Sequence, residues 1–197
     1  FAKKGQIYSA EDRIRLIALD IANHFVKNID DELKGQLACD SKASAIKYKQ
    51  YLDEAGLFES AVVMSAPDSR EGNTEVDEAA MPEVQKWWNE HVGNQDEQIY
   101  TKQIIERFDK DPSLKLLIVV DKLLTGFDEP KNTVLYIDKP LKQHNLIQAI
   151  ARVNRLHQKK QFGYLIDYRG ILKELDATIA DYQELAERTQ GGFDIDD

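Results

Sequence analysis

Two arginines and a glutamine stand at helical spacing in the segment "LIQAIARVNRLHQ", residues 146–158. On an α-helix, Gln148, Arg152 and Arg155 fall at positions i, i+4 and i+7, so they share one face. No acidic residue lies three or four positions away to pair with them. Guanidinium groups bind phosphate through two parallel hydrogen bonds, so this array suits a phosphate-bearing ligand. The alternative is that these side chains are the solvated side of an amphipathic helix.

The distribution of charge supports the first interpretation. The 197-residue chain has a formal net charge of −9, which argues against general, sequence-independent binding of nucleic acid. Residues 139–160 nevertheless contain six basic side chains and no acidic one, which leaves −15 for the rest of the chain. The positive charge is therefore concentrated around the arginine pair, where a phosphate on a nucleotide or on a nucleic-acid backbone could bind.

A second segment whose residue types could bind a ligand is "VDKLLTGFDEP", residues 120–130. Gly126 allows a ligand to approach the backbone closely, and Asp128 could accept hydrogen bonds from a sugar hydroxyl. Taken alone, the segment could equally be an ordinary Gly-Asp-Pro turn. The sequence contains no G-x-x-x-x-G-K-[ST], no G-x-G-x-x-G and no G-x-S-x-G. Because no complete catalytic set is present, we expect the other half of the site to lie on another domain.

The elements that must position these residues alternate between strand and helix patterns. The run "LLIVV", residues 116–120, is uniformly apolar, as strands of parallel sheets are. The other predicted strands are residues 36–39, 60–65, 133–138 and 163–167. This alternation predicts an α/β fold with a parallel sheet and helices on both faces. Ligands of such sheets bind at the carboxyl ends of the strands, which here include Asp40-Ser41-Lys42 and Asp138-Lys139-Pro140.

Helices are predicted from the spacing of apolar residues. One begins near Ser9, a second follows a cap at Asp40-Ser41, and Trp87-Trp88 open a stretch that is helical by Ile104. Residues 66–82 are predicted to be an exposed loop, and "GGFDIDD" a frayed tail. The apolar faces are Ile14, Ile17, Ile21 and Phe25 in the first helix, Ala45, Tyr48 and Leu52 in the second, and Ile171, Leu175, Ile179, Tyr182 and Leu185 in the last.

Composition excludes several classes of protein. No apolar run is long enough for a membrane span, and charged residues interrupt any signal-peptide core near the start. The single Cys39 excludes an internal disulfide and favours the cytoplasm, and the four histidines show no metal-ligand spacing. The chain begins at Phe1 rather than at methionine, so we expect it to be a piece of a longer protein.

Four segments together resemble a known family: "VDKLLTGFDEP", "TVLYIDKPL", "QAIARVNR" and "GYLIDYRGIL". The sequence is similar to the second RecA-like domain of superfamily 2 helicases, and more closely to the R subunit (HsdR) of type I restriction–modification enzymes. In that family "LLTGFDEP" is motif V, "QAIARVNR" is motif VI and "LACDSKASAIKYKQYL" resembles motif IV. The resemblance implies a three-layer RecA-like domain without a P-loop over residues 31–170, a helical lead-in over 1–30, and a C-terminal helix and tail over 171–197.

The resemblance also implies roles for residues around ATP. Arg155 would be the arginine finger that reaches the γ-phosphate across an interdomain cleft, and Arg152 would contact the phosphates beside it. Gln148 would couple the nucleotide to the motor, while Gly126 and Asp128 would form the turn near the sugar. The Mg²⁺ that accompanies ATP would be held by a first motor domain, which this sequence does not contain.

For nucleic acid and protein partners, the resemblance implies a motor that translocates double-stranded DNA. Ser41, Lys42 and Thr125 would contact the DNA backbone. The P-loop and nuclease domains of the same subunit, and separate methyltransferase and specificity subunits, would be its protein partners, with no membrane. The chain would belong to an ATP-dependent type I deoxyribonuclease but would be inactive alone. The alternatives are a repair or RNA-remodelling helicase of the same superfamily, or a non-catalytic α/β domain that binds a phosphorylated or acidic partner.

Overall fold

The computed structural model describes residues 10–29, 31–67, 81–120, 129–141, 143–154, 158 and 162–170. In chain order the elements are α1 (Ala10–Asn28), β1 (Lys34–Cys39), α2 (Lys42–Ala55), β2 (Glu59–Val63), α3 (Met81–His91), α4 (Glu97–Lys110), β3 (Leu114–Val119), β4 (Asn132–Asp138), α5 (Gln143–Val153) and β5 (Tyr164–Asp167). The predicted alternation of strands and helices is therefore confirmed. The predicted last helix and tail, residues 171–197, lie outside the described residues.

The five strands form one parallel sheet in the order β2-β3-β1-β4-β5. The three inner strands β3, β1 and β4 are almost completely buried, as the apolar run of β3 predicts for that strand. The strand β5 lies at an edge, and all four of its residues are half-buried. Because every strand runs the same way, all five carboxyl ends lie at one edge of the sheet, which is called the carboxyl edge below.

Helices cover both faces of the sheet, which confirms the three-layer prediction. On one face the apolar sides of α1, α2 and α3 join the strands in one buried cluster that includes Ile21, Tyr48 and Trp88. On the other face, Phe108 of α4 and Leu146 of α5 belong to a second cluster. The predicted apolar face of α1 is buried: Ile14, Ile17, Ile21 and Phe25.

Local signals explain where several helices begin and end. Ser41 is the N-cap of α2, as predicted, and Gly56 ends that helix in the left-handed conformation with φ +64°. The stretch predicted to open at Trp87-Trp88 differs from the prediction, because both tryptophans lie inside α3 and a second helix, α4, follows. Gly93, with φ +61°, and the N-cap Asp96 separate α3 from α4. Within the predicted loop 66–82, Met81 already belongs to α3, and residues 68–80 lie outside the described part of the chain.

A buried lysine extends β1 beyond the predicted strand. Lys34 is buried at the start of β1, where its ammonium group donates to the carbonyl oxygen of Phe108 and to that of Asp111, the latter at 2.7 Å. These carbonyls lie at the C-terminal end of α4, where a positive charge is favoured by the helix dipole. Burial, with a contribution from nearby Lys131, lowers the pKa of Lys34. The sequence pattern missed this strand residue because a lysine is typical of exposed positions.

Candidate functional site

The carboxyl edge is built around one buried carboxylate, that of Asp138 at the end of β4. The Asp138 side chain is only 1% exposed and accepts four hydrogen bonds. The Arg13 guanidinium of α1 donates two, at 2.9 and 2.6 Å, and the Tyr48 hydroxyl of α2 donates a third at 2.6 Å. The fourth comes from Nε of Arg169 at 2.7 Å. These contacts join two helices to the ends of two strands.

The charges around Asp138 determine its protonation. Burial acts to raise the pKa of this carboxyl, but the hydrogen bonds from Arg13 and Tyr48 and the nearby guanidinium charges act against it and prevail. The pKa of Asp138 therefore lies below its ordinary value. Burial, followed by the hydrogen bond to Asp138, raises the pKa of Tyr48, so this hydroxyl remains a donor at neutral pH.

Arg169 extends the network to a third strand. Its Nη2 donates to Oδ2 of Asp40 at 2.6 Å, so one guanidinium bridges the carboxyl ends of β1 and β4 from a position just after β5. The backbone around it is fixed as well, since the amides of Arg169 and Gly170 donate to Oδ1 of Asp167 at 2.7 and 2.9 Å. We call Arg13, Asp40, Tyr48, Asp138 and Arg169 the Asp138 network.

The sequence pattern alone does not predict the Asp138 network as a site. Asp40 and Asp138 stand at predicted strand ends, and the signal present in the sequence is a carboxylate directly after an apolar strand. The partners could not be found in the same way, because Arg13 is 125 positions from Asp138 along the chain. The network links residues that only the tertiary fold brings together.

The predicted DNA-contacting residues Ser41 and Lys42 lie at the carboxyl edge, where both side chains make internal contacts. The Ser41 hydroxyl accepts from the backbone amide of Ser44 at 3.1 Å and donates to the Ser44 hydroxyl at 2.9 Å. The ammonium group of Lys42 donates to the carbonyl oxygen of Ala66 at 2.7 Å, beyond the end of β2. The amide of Ala66 donates to Glu97 at 2.7 Å, so this contact also connects to α4. Their role toward DNA stays a prediction.

The capping contact of Ser41 gives a testable expectation. The Ser41→Ala variant should lose about 1 kcal/mol of unfolding free energy, because an amide in the first turn of α2 loses its acceptor. Urea denaturation followed by circular dichroism measures this loss. Aspartate also caps helices, so Ser41→Asp is the matched control and should keep most of the stability. Equal losses in both variants would contradict the capping role.

The residues predicted near the nucleotide sugar, and the predicted DNA contact Thr125, fall in a segment that the structure does not describe. Thr125, Gly126 and Asp128 belong to residues 121–128, which lie outside the described part of the chain. The flanks of that segment are described. Before it, the carbonyl oxygen of Val120 accepts from Nζ of Lys139 at 2.6 Å. After it, the buried Glu129 accepts from the amide of Lys131 at 3.0 Å. The first of these contacts attaches the end of β3 to the end of β4.

The helix that carries the glutamine and the first arginine is α5. Its apolar side, formed by Leu146, Ala149 and Val153, is buried in the second cluster, and the half-buried Ile150 packs against that cluster. Gln148 is half-buried and lies one helical turn before Arg152, so the predicted i, i+4 relation of these two positions holds. The helix ends at Val153, and Arg155 lies outside the described residues.

Close packing fixes the end of α5 against the start of β5. A Cβ atom at Gly163 would come within 2.4 Å of the carbonyl oxygen of Val153, so only glycine fits there. The amide of Gly163 also donates to Oδ1 of Asn154 at 3.3 Å. The helix that carries Gln148 and Arg152 is therefore held at its C-terminal end as well as along its apolar side.

Comparison with known proteins assigns the chain to a family. Residues 18–170, more than half of the chain, match the model of type I restriction enzyme subunit R domain 3. The chain belongs to this family. The match begins within α1 and ends at Gly170, immediately after Arg169 of the Asp138 network.

Similar curated proteins are subunits of type I restriction enzymes. The chain is 33% identical over 204 residues to the HindI endonuclease subunit of Haemophilus influenzae, covering 96% of this chain and 18% of that protein. It is 34% identical over 192 residues to the endonuclease subunit named MjaIXP of Methanocaldococcus jannaschii, covering 95% of this chain and 17% of that protein. The chain thus spans about a sixth of the length of the curated relatives it matches.

Similar solved structures confirm the RecA-like fold. A fragment named as the HsdR subunit of a type I restriction enzyme from Vibrio vulnificus YJ016 matches with a TM-score of 0.56 and 17% identity, covering 83% of this chain and 28% of that one. The C-terminal part of the Fun30 ATPase domain matches with a TM-score of 0.50 and 14% identity, covering 90% and 47%. At these identities the likeness concerns the fold.

Two structural features are absent from the described part of the chain. None of the helices there has the length and apolar character that a transmembrane segment needs. In the same part of the chain, no group of three or more His, Cys, Asp or Glu side chains is arranged to hold a metal ion.

Proposed function

We propose that this chain is the second motor domain of an ATP-dependent double-stranded DNA translocase, within the R subunit of a type I restriction endonuclease. The observation that carries the proposal is the family match over residues 18–170, because that range contains the two segments that resemble helicase motifs V and VI. In this proposal the chain contributes one side of an ATP site, and a P-loop domain of the same subunit contributes the other.

The nucleotide side of the proposal rests on α5 and its surroundings. Helical geometry puts positions 148 and 152 of α5 one turn apart, outside the set of buried apolar positions 146, 149 and 153. In the proposed site, Arg155 stabilises the negative charge that develops on the transferring phosphoryl group, and Arg152 binds the phosphates beside it. An arginine supplied from outside the P-loop accelerates hydrolysis by roughly 10³–10⁵-fold. Gly126 and Asp128 would border the nucleotide sugar, and Mg²⁺ would be bound by the P-loop domain.

The DNA side of the proposal uses the carboxyl edge. Ser41, Lys42 and Thr125 would contact the phosphate backbone, and closing of the two motor domains on ATP would move the DNA relative to them. Rigid attachment of β1, β4 and β5 by the Asp138 network supports this role, since a motor domain must move as one body. The nuclease domain, the methyltransferase subunit and the specificity subunit are the proposed protein partners, in the cytoplasm.

A split site makes a direct prediction about the isolated chain. The 197-residue chain should show no ATPase activity above that of its Arg155→Ala variant, because the P-loop is absent from its sequence. The same chain joined to the P-loop domain of its subunit should hydrolyse ATP and be stimulated by double-stranded DNA. Measurable ATPase of the isolated chain above the variant would overturn the proposal.

The polymer that stimulates the joined domains separates this proposal from the other helicases. Double-stranded DNA should stimulate hydrolysis more than RNA or single-stranded DNA of the same length and at the same salt concentration. Stronger stimulation by RNA would favour an RNA-remodelling helicase. An absence of both hydrolysis and ATP binding in the joined domains would favour a non-catalytic binding domain.

A further inference from the structure

The outer side of α1 exposes three large apolar side chains. Leu16 is 54% exposed, Leu19 42% and Val26 54%. These are three of the six large apolar residues that are exposed in the described part of the chain. The exposed polar residue Asn23 lies between Leu19 and Val26. The 3-4-3 spacing of these four residues places them on one side of the helix, opposite its buried residues. We call Leu16, Leu19, Asn23 and Val26 the outer stripe.

A stripe of this composition is typical of a helix that packs against a second helix. Exposed apolar residues that are scattered singly are ordinary, but three on one side of one helix form a patch. The intervals are those of the a and d positions of a coiled coil, with Leu16 and Asn23 at a and Leu19 and Val26 at d. A single asparagine at an a position fixes the register of coiled coils at a cost in stability, so Asn23 is compatible with such a contact.

The end of the described chain lies next to this helix. The hydroxyl of Tyr168 donates to the carboxylate of Asp20 at 2.6 Å, and Nη2 of Arg13 donates to the carbonyl oxygen of Tyr168 at 3.3 Å. Gly170 follows with φ +77°, and nothing lies within 4 Å of a Cβ atom placed there. The described chain therefore ends two residues after Tyr168, which contacts both Arg13 and Asp20 of α1.

The sequence that follows Gly170 repeats the spacing of the outer stripe. Leu172, Leu175, Ile179 and Tyr182 stand at the same 3-4-3 intervals, and all four are apolar or aromatic. A segment of sixteen residues, 171–186, would be about 24 Å long as a helix, which exceeds the roughly 15 Å between positions 16 and 26. The segment is therefore long enough to cover the whole stripe.

We propose that residues 171–186 form an amphipathic helix that docks parallel to α1 along the outer stripe. The parallel direction follows from the position of Gly170 at the N-terminal half of α1. In this alignment, Leu172 meets Leu16 and Leu175 meets Leu19. The docked helix would fix the direction in which the chain continues beyond the RecA-like domain.

One pair of oppositely charged positions in the two segments agrees with this alignment. It places Asp176 across from Arg15, which is exposed beside the stripe, at positions where coiled coils pair opposite charges. Asn23 falls across from Ile179, so the closest apolar packing is expected at the first two layers, next to Gly170. The test below therefore uses those two layers.

A helix from the same chain is favoured over a second copy of the protein. Gly170 holds the segment beside α1, so docking is intramolecular, with an effective concentration in the millimolar range for a short connection. The two heptads available, one of them containing Asn23, bury too little surface for a stable dimer at ordinary protein concentrations. The inference does not depend on ATP or DNA and can therefore fail separately from the proposed function.

Paired cysteines in the 197-residue chain test the alignment. The variant Leu16→Cys with Leu172→Cys should form an intramolecular disulfide on mild oxidation, and so should Leu19→Cys with Leu175→Cys. The matched control is Val26→Cys with Leu172→Cys, which uses the far end of the same stripe and exceeds the ~7 Å limit between Cα atoms of a disulfide. The native Cys39 is fully buried, and burial raises the pKa of its thiol, so it should not compete.

The expected result is a disulfide in both matched pairs that forms about tenfold faster than in the control, as non-reducing electrophoresis measures. In the Leu16→Cys/Leu172→Cys background, Leu175→Asp should abolish this advantage, whereas Lys173→Asp on the outer side should leave it intact. Disulfides that form between chains, equal rates in the control pair, or no disulfide in folded protein would each overturn the proposal. Circular dichroism of every variant checks that the domain is folded.

Discussion

The Arg155→Ala variant is expected to lower the DNA-stimulated ATPase rate of the joined motor domains by about 10³-fold or more. An arginine finger stabilises charge that is present only in the transition state, so its loss lowers kcat and leaves KM for ATP nearly unchanged. Steady-state hydrolysis at saturating ATP and DNA measures the effect. Arg152→Ala should raise KM for ATP as well, because its proposed contact with the phosphates is present before hydrolysis.

The control for this prediction is Lys102→Ala on α4. Lys102 has a side chain that is 77% exposed and lies 4.0 Å from Glu106, so its removal changes the net charge by the same amount as Arg155→Ala and should not affect the site. A kcat of Arg155→Ala close to that of Lys102→Ala would contradict the assignment of the arginine finger.

The second large effect is expected from Asp138→Asn. Removing one partner of a buried ion pair leaves the remaining groups without compensation and costs about 3–5 kcal/mol of unfolding free energy. The guanidinium groups of Arg13 and Arg169 are about a third exposed, so solvent can reach them, and we expect a loss of about 3 kcal/mol. Urea denaturation of the 197-residue chain measures it. Asp53→Asn, which breaks the exposed pair with Lys49, is the control and should change stability by less than about 1 kcal/mol.

The same carboxylate should make stability depend on pH. The pKa of Asp138 in the folded protein lies below its ordinary value, so the unfolded chain takes up a proton first as the pH falls. Its contribution is therefore complete above the ordinary aspartate pKa, near 4, and is lost as the pH falls through the folded pKa. Wild type should lose more stability than Asp138→Asn between about pH 5 and pH 2. Parallel curves for the two proteins would contradict the paired state of Asp138.

The sheet and its helices could be predicted from the sequence because their signals are local. Burial of residues 116–119 in β3 follows from their apolar run, and the start of α2 follows from the cap at Ser41. The separation of α3 from α4 was missed, although Gly93 and Asp96 carry the turn and the cap, because apolar spacing on both sides of them suggested one stretch. Local patterns thus predicted the elements better than the turns between them.

The Asp138 network could not be predicted, because the role of Asp138 depends on which residues, distant in sequence, the fold brings to its carboxylate. A carboxylate at a strand end suits a ligand as well as an internal ion pair. Only the positions of Arg13 and Arg169 in the fold decide that Asp138 is internally paired. The predicted nucleotide residues differ in this respect, since their proposed partner is a ligand held by another domain. Those residues therefore stay predictions: Gly126, Asp128, Gln148, Arg152 and Arg155.

The most direct measurement of the central claim is the binding of a transition-state analogue, ADP with aluminium fluoride, to the joined motor domains. If this chain supplies the arginine finger, the wild-type protein should trap the analogue in the presence of DNA, and Arg155→Ala should not. Both proteins should bind ADP alone with similar affinity, because the finger acts on the γ-phosphate position. Equal trapping of the analogue by the two proteins would contradict the claim that this domain completes the ATP site.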